Sequence, residues 1–60
     1  MKYRYFAEVN ADLKGRPIIS FNRLELGSPV KQVMHVHHCQ GSITPNDCAN
    51  MENWIKEGKL

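Results

Sequence analysis

The stretch from Thr44 to Gly58 constrains this chain most, because both of its ends carry local helix signals. Thr44 is a good N-cap, Pro45 suits the first helical position, and Asp47 stands three residues on as an acidic capping-box partner. Gly58 fits the position just past the last turn, and Lys56 and Lys59 are placed favourably against the helix dipole. Between these ends Cys48, Met51, Trp54 and Ile55 recur at helical spacing as one apolar stripe. The spacing predicts a helix over about 45–57 that packs Trp54 and Ile55 onto whatever precedes it.

What precedes it is patterned as strands. Tyr3, Tyr5, Ala7 and Val9 alternate with Arg4, Phe6, Glu8 and Asn10, a period of two rich in aromatic residues, which predicts a strand over about 2–10. The run Asn10-Ala11-Asp12-Leu13-Lys14-Gly15 then supplies turn chemistry, with Gly15 able to take positive φ. A second strand follows over about 16–26, with Pro17 at its start, where a missing N–H costs least. Ile19 and Phe21 fall on one face but Leu24 and Leu26 on the other, and this slip of phase predicts a bulge or bend between Phe21 and Leu24. The two strands are expected to form an antiparallel hairpin.

Residues 30–39 admit two readings. As a helix, Ser28 would cap, Pro29 would open the first turn, and Val30, Val33, Met34 and His37 would share a face. As a strand, Val30, Met34 and Val36 share one face, and Val33, His35, His37 and Cys39 the other. Three valines among few strong helix formers favour the strand. The expected architecture is a small single α+β domain, with an antiparallel sheet of about three strands and one C-terminal helix laid on it. The alternative order is β-β-α-α, with residues 29–38 helical.

Sixty residues bury only about 60% of the surface that the unfolded chain exposes, so the core is thin. Scaffolds of this size commonly add a disulfide, a metal or an oligomeric interface. Hydrophobic residues at 42% and charged residues at 23% nevertheless fit a globular domain rather than a disordered one. No apolar run approaches the ~20 residues needed to span a bilayer, and patterned sequence begins directly after Met1. The expectation is a cytoplasmic protein with no membrane partner and with reduced thiols.

Candidate metal ligands concentrate in one place. All three histidines lie between Met34 and Cys39, and Cys48 follows nine residues after Cys39. On a strand, His35, His37 and Cys39 project from one face at roughly 6.5–7 Å intervals, and Cys48 on the first helical turn can reach towards them. These four residues form a candidate zinc site, because zinc takes nitrogen and sulfur ligands in a tetrahedron. Against it, the spacing is not that of two short-spaced ligand couples, and Cys48 also suits a buried apolar position under the helix. A Cys39–Cys48 disulfide is disfavoured in a reducing compartment.

Catalytic machinery is not expected. Gly15, Gly27, Gly41 and Gly58 are isolated, so no glycine-rich phosphate loop exists. Asp47 is explained as a capping acid, and Cys39 and His38 would point to opposite faces of a strand. A pocket of ~300 Å³ or more is hard to build on one sheet and one helix.

Eight Lys+Arg against six Asp+Glu give +2, and the basic residues are scattered. Nucleic-acid binding through Arg4, Tyr5, Arg16, Arg23 and Lys31 is therefore permitted rather than indicated, since Tyr3 and Tyr5 are better read as core-facing. The leading expectation is a non-catalytic, protein-binding regulator or inhibitor acting through its surface, of the sort that phages and mobile elements encode. An exposed edge strand or spare helix face would dock the partner, and the same edge would permit a homodimer.

Overall fold

The fold follows from a computed structural model, which describes residues 2–58. Three strands and a helix occur in the order β1 (Tyr3–Ala11), β2 (Pro17–Glu25), β3 (Lys31–His38) and α1 (Pro45–Glu57). The strands form one antiparallel sheet in the order β1-β2-β3, and α1 packs on it, so the molecule is a small α+β domain. Lys59, expected to favour the helix dipole, lies outside the described residues.

The first hairpin closes on a tight turn. The Gly15 amide donates to the Asp12 carbonyl at 3.0 Å, and the Asp12 amide donates to the Arg16 carbonyl at 2.9 Å. Gly15 has φ of 78°, the left-handed residue that ends a three-residue hairpin loop. Asp12 Oδ1 accepts from the amides of Lys14 and Arg16, at 2.8 and 2.9 Å, and so fixes the loop from inside. These two amides hold the Asp12 carboxylate below its ordinary pKa, Arg16 being the larger influence.

Residues 31–38 are a strand, which overturns the helical alternative over 29–38. The reason lies in the preceding turn. The Ser28 amide bonds the Glu25 carbonyl at 3.0 Å, and the chain reverses at once. That reversal lays the valines beside the free edge of β2, where a strand satisfies β2's backbone groups and a helix could not. The predicted bulge is also present, with a refinement. Phe21 pairs with His35 but Asn22 pairs with Val33, so the extra residue is Met34, on β3 rather than β2.

Pairing in register assigns the faces. Tyr5, Ala7 and Val9 share one face with Arg23, Phe21 and Ile19, and with His35 and His37 of β3. Helix α1 covers this face, chiefly over β1. The buried apolar core is Ile19, Phe21, Cys39 and Trp54, with Tyr5, Ala7, Ile43 and Met51 packed against it. Trp54 is its keystone. The indole Nε1–H donates to the carbonyls of Asn22 (2.8 Å) and Phe6 (3.1 Å), and the ring meets Tyr5 and Phe21 edge-on at 5.2 and 5.8 Å.

Both ends of α1 are closed as expected. The Asp47 amide donates to Thr44 Oγ1 and the Thr44 amide to Asp47 Oδ2, completing the capping box. Gly58 is left-handed at φ 69°, and its amide donates to the Trp54 carbonyl at 2.8 Å.

The expected stripe needs correcting. Cys48 and Ile55 are exposed, and the inward line is Asp47, Met51 and Trp54. These stand at i, i+4 and i+7, one residue away from the apolar reading, because the indole and the capping carboxylate both turn towards the sheet. Among the described residues no element covers the opposite face of the sheet, on which Asn22 is buried. Asn22 Nδ2 donates to the Ser20 carbonyl (3.0 Å) and to Glu8 Oε1 (3.3 Å).

Candidate functional site

Two features of the surface are chemically distinctive, and β3 contributes to both. The first is a cluster at its C-terminal end. Antiparallel pairing puts His37 opposite Ile19, on the helix side of the sheet. Cys39 follows two residues later, just past the end of β3, and its amide donates to the Pro17 carbonyl at 3.1 Å, which holds the thiol under the helix N-terminus. The capping box turns Asp47 back over the same place. His37 Nε2 lies 3.2 Å from Asp47 Oδ1, and Cys39 Sγ lies 3.8 Å from Asp47 Oδ2. Oδ2 also accepts from the Thr44 amide and hydroxyl, each at 3.0 Å. Together with Thr44 and the 40–42 loop, these residues line a solvent-open hollow of about 490 Å³. A pocket of this size is hard to build on one sheet and one helix alone; the loop after β3 adds a wall by folding back against the helix N-terminus, and the hollow stays open to solvent.

Electrostatics in the hollow are asymmetric. The Asp47 carboxylate is held below its ordinary pKa, first by the Thr44 amide, then by the Thr44 hydroxyl, with His37 adding to both. The Cys39 thiol is pushed up by desolvation and by the negative Asp47 beside it. The carboxylate therefore stands between imidazole and thiol, and it disfavours a free thiolate. That order is the reverse of an activated cysteine, in which a cation or imidazolium faces the sulfur.

Of the four ligands read from the sequence, the fold gathers His37 and Cys39. His35 lies over the Phe21 ring, with centroids 5.9 Å apart, and Cys48 is exposed on the helix flank. Both cysteines are free thiols, so the bridge considered between them is not formed. Asp47 is the residue that sequence reasoning passed over. Its capping role was explained, and a second role for the same carboxylate had no separate signal. The available clue was that a capping-box acid turns back over the incoming chain, here only eight residues after Cys39.

The residues considered for nucleic acid do not gather. Arg23 lies over the Tyr3 ring at 4.1 Å, and its Nε donates to Gln32 Oε1 at 2.7 Å. Lys31 is paired with Glu8, and Tyr5 is packed on Trp54. Arg4 pairs with Leu24, and Lys31 pairs with the same residue from the other side, on the face opposite Tyr5 and Arg23. Arg16 sits at the hairpin turn.

The second feature is β3 itself. It is an edge strand, all eight of its residues are exposed, and Val33, Met34 and Val36 retain 54, 46 and 41% of their accessible surface. β1 is the other edge, but α1 packs along it and several of its side chains are partly buried. No helix of the described residues is long and apolar enough to cross a membrane. No protein-family model, curated protein sequence or solved structure matches the chain.

Proposed function

We propose that this chain is a small non-catalytic regulator that binds a partner protein by accepting an extended segment along the outer edge of β3. One observation carries the reading: the eight-residue edge strand is exposed from end to end and presents three large apolar side chains to solvent. An open edge supplies main-chain donors and acceptors for an added strand, and alternate side chains supply specificity. Isolated exposed apolar residues need no explanation, but Val33, Met34 and Val36 occur within four consecutive positions of one uncovered strand. Proteins usually blunt such an edge with charge, and Lys31 at the start of β3 is already engaged by Glu8.

The test is affinity capture with the full chain as bait, comparing wild type with a Val33→Lys/Val36→Lys variant and with a Leu13→Lys control. Leu13 is fully exposed in the turn between β1 and β2, outside β3. The expected result is a partner retained by wild type and control and lost by the edge variant. Equal retention by all three would refute docking on β3. A partner-free wild type that sediments as a dimer, with the edge variant monomeric, would instead assign the edge to a second copy.

A further inference from the structure

We infer that His37, Cys39 and Asp47 form a zinc site with three protein ligands and one open position, joining the end of β3 to the first turn of α1. The donor atoms of the three residues lie within 4.8 Å of one another. Zinc bonds of ~2.0–2.1 Å to nitrogen and oxygen and ~2.3 Å to sulfur imply tetrahedral ligand–ligand edges of roughly 3.3–3.6 Å. The His37 Nε2–Asp47 Oδ1 separation of 3.2 Å already matches such an edge, whereas Cys39 Sγ lies 3.8 Å from the other carboxylate oxygen, Oδ2, and must close on Oδ1 and the imidazole. The remaining adjustment is about an ångström, within reach of side-chain rotation for the half-exposed His37.

The division of labour within Asp47 strengthens the assignment. Oδ2 is occupied by the Thr44 amide and hydroxyl, whereas Oδ1 faces the imidazole. A metal can therefore take Oδ1 without dissolving the capping box, and the two Thr44 bonds orient the ligating carboxylate from behind. On binding, Cys39 gives its proton to solvent and ligates as thiolate, His37 ligates through neutral Nε2, and Asp47 ligates as carboxylate. The two negative ligands balance the dication, so the assembled site is neutral. Imidazole and thiolate select zinc over magnesium or calcium, which take oxygen ligands. The hollow beside the site leaves room for water in the fourth position.

The experiment is titration of the purified full chain with cobalt(II) as the spectroscopic probe, followed by displacement with zinc. Wild type is expected to take up one cobalt per chain, with the visible bands of a tetrahedral ion and a thiolate-to-cobalt band, both bleached by zinc. Cys48→Ser and His35→Ala should leave these unchanged, which assigns the sulfur band to Cys39 without altering a buried residue. His37→Ala and Asp47→Asn should each weaken zinc binding by tenfold or more, with the circular dichroism of the metal-free chain retained. Absence of saturable binding in wild type would overturn the inference. So would loss of the sulfur band in Cys48→Ser, or unchanged affinity in both His37→Ala and Asp47→Asn.

Discussion

Trp54 is the residue on which the attachment of helix to sheet turns, and its removal can be reasoned through in magnitude. The side chain is 6% exposed. An aromatic of this size buries about 150–250 Å², worth roughly 4–6 kcal/mol at ~25 cal/mol per Å². Measured Trp or Phe→Ala changes in cores cost about 3–5 kcal/mol. A domain of sixty residues has a total stability of only about 3–9 kcal/mol, so Trp54→Ala should leave a large unfolded fraction at room temperature. Trp54→Phe is the more discriminating change. It keeps a ring near Tyr5 and Phe21, and removes the one N–H shared by the Asn22 and Phe6 carbonyls together with part of the indole volume. That shared N–H is worth about 1 kcal/mol and the lost ring volume adds to it, so at ~4–8 °C per kcal/mol the midpoint should fall by at least about 4–8 °C. Thermal melts followed by far-ultraviolet circular dichroism measure both variants against wild type. If Trp54→Phe melts with wild type, the indole donor is not an anchor. If Trp54→Ala still melts cooperatively at the wild-type midpoint, the helix is held by something else altogether.

Two further perturbations test the ends of the elements and the buried acid. Gly58→Ala must adopt a positive φ and bring a Cβ to 2.8 Å from the Tyr5 ring, so it should cost more than the ~1 kcal/mol of the left-handed penalty alone; a melt equal to wild type would refute the close approach. In the metal-free chain, Asp12 and Asp47 both have pKa values depressed below the ordinary ~3.9. Their stabilisation is therefore present above that value and lost as pH falls through the folded values, because the unfolded chain takes up protons first. Urea midpoints should be level from neutrality to about pH 5 and decline below ~4, with a shallower decline in Asp12→Asn and Asp47→Asn; a flat wild-type profile would contradict the carboxylate geometry.

Legibility in the sequence tracked how local each determinant is. The ends of α1 were readable because Thr44, Asp47 and Gly58 act on backbone groups within a few residues of themselves. The alternation in β1 was readable for the same reason. Residues 31–38 were equivocal, since valines tolerate either periodicity, and the decision came from the open edge of β2, a partner distant in sequence. The phase slip in β2 announced a bulge, but only pairing could put the extra residue at Met34. The site was half readable. His37 and Cys39 were found from strand alternation, yet whether Cys48 or Asp47 joins them depends on the rotation of α1 about its axis. Both lie on the same first turn, and the indole of Trp54, two turns away, sets that rotation.

The same rotation links the candidate site to the candidate docking edge. A single helix is about 10–12 Å across, whereas three strands at ~4.8 Å spacing present a sheet wider than it can cover. With α1 laid over β1, and Trp54 reaching Phe21, no element of comparable size is left among the described residues to cover β3. The strand is then held by its ladder to β2, by side-chain contacts of Lys31, Gln32 and His35 with Glu8, Arg23 and Phe21, and by the cluster at its C-terminal end, where Cys39 bonds Pro17 and His37 meets Asp47. A metal at that end and a partner strand along the edge would both restrain the least supported element of the fold, so each could mimic the other in a stability assay. They separate by location: lysines at Val33 and Val36 remove the edge and leave the three ligands in place, while His37→Ala removes a ligand and leaves the apolar edge. An edge variant that still binds zinc, beside a His37 variant that still binds its partner, would establish two independent sites; loss of partner binding in the His37 variant would mean that the edge accepts a segment only when the metal holds its end.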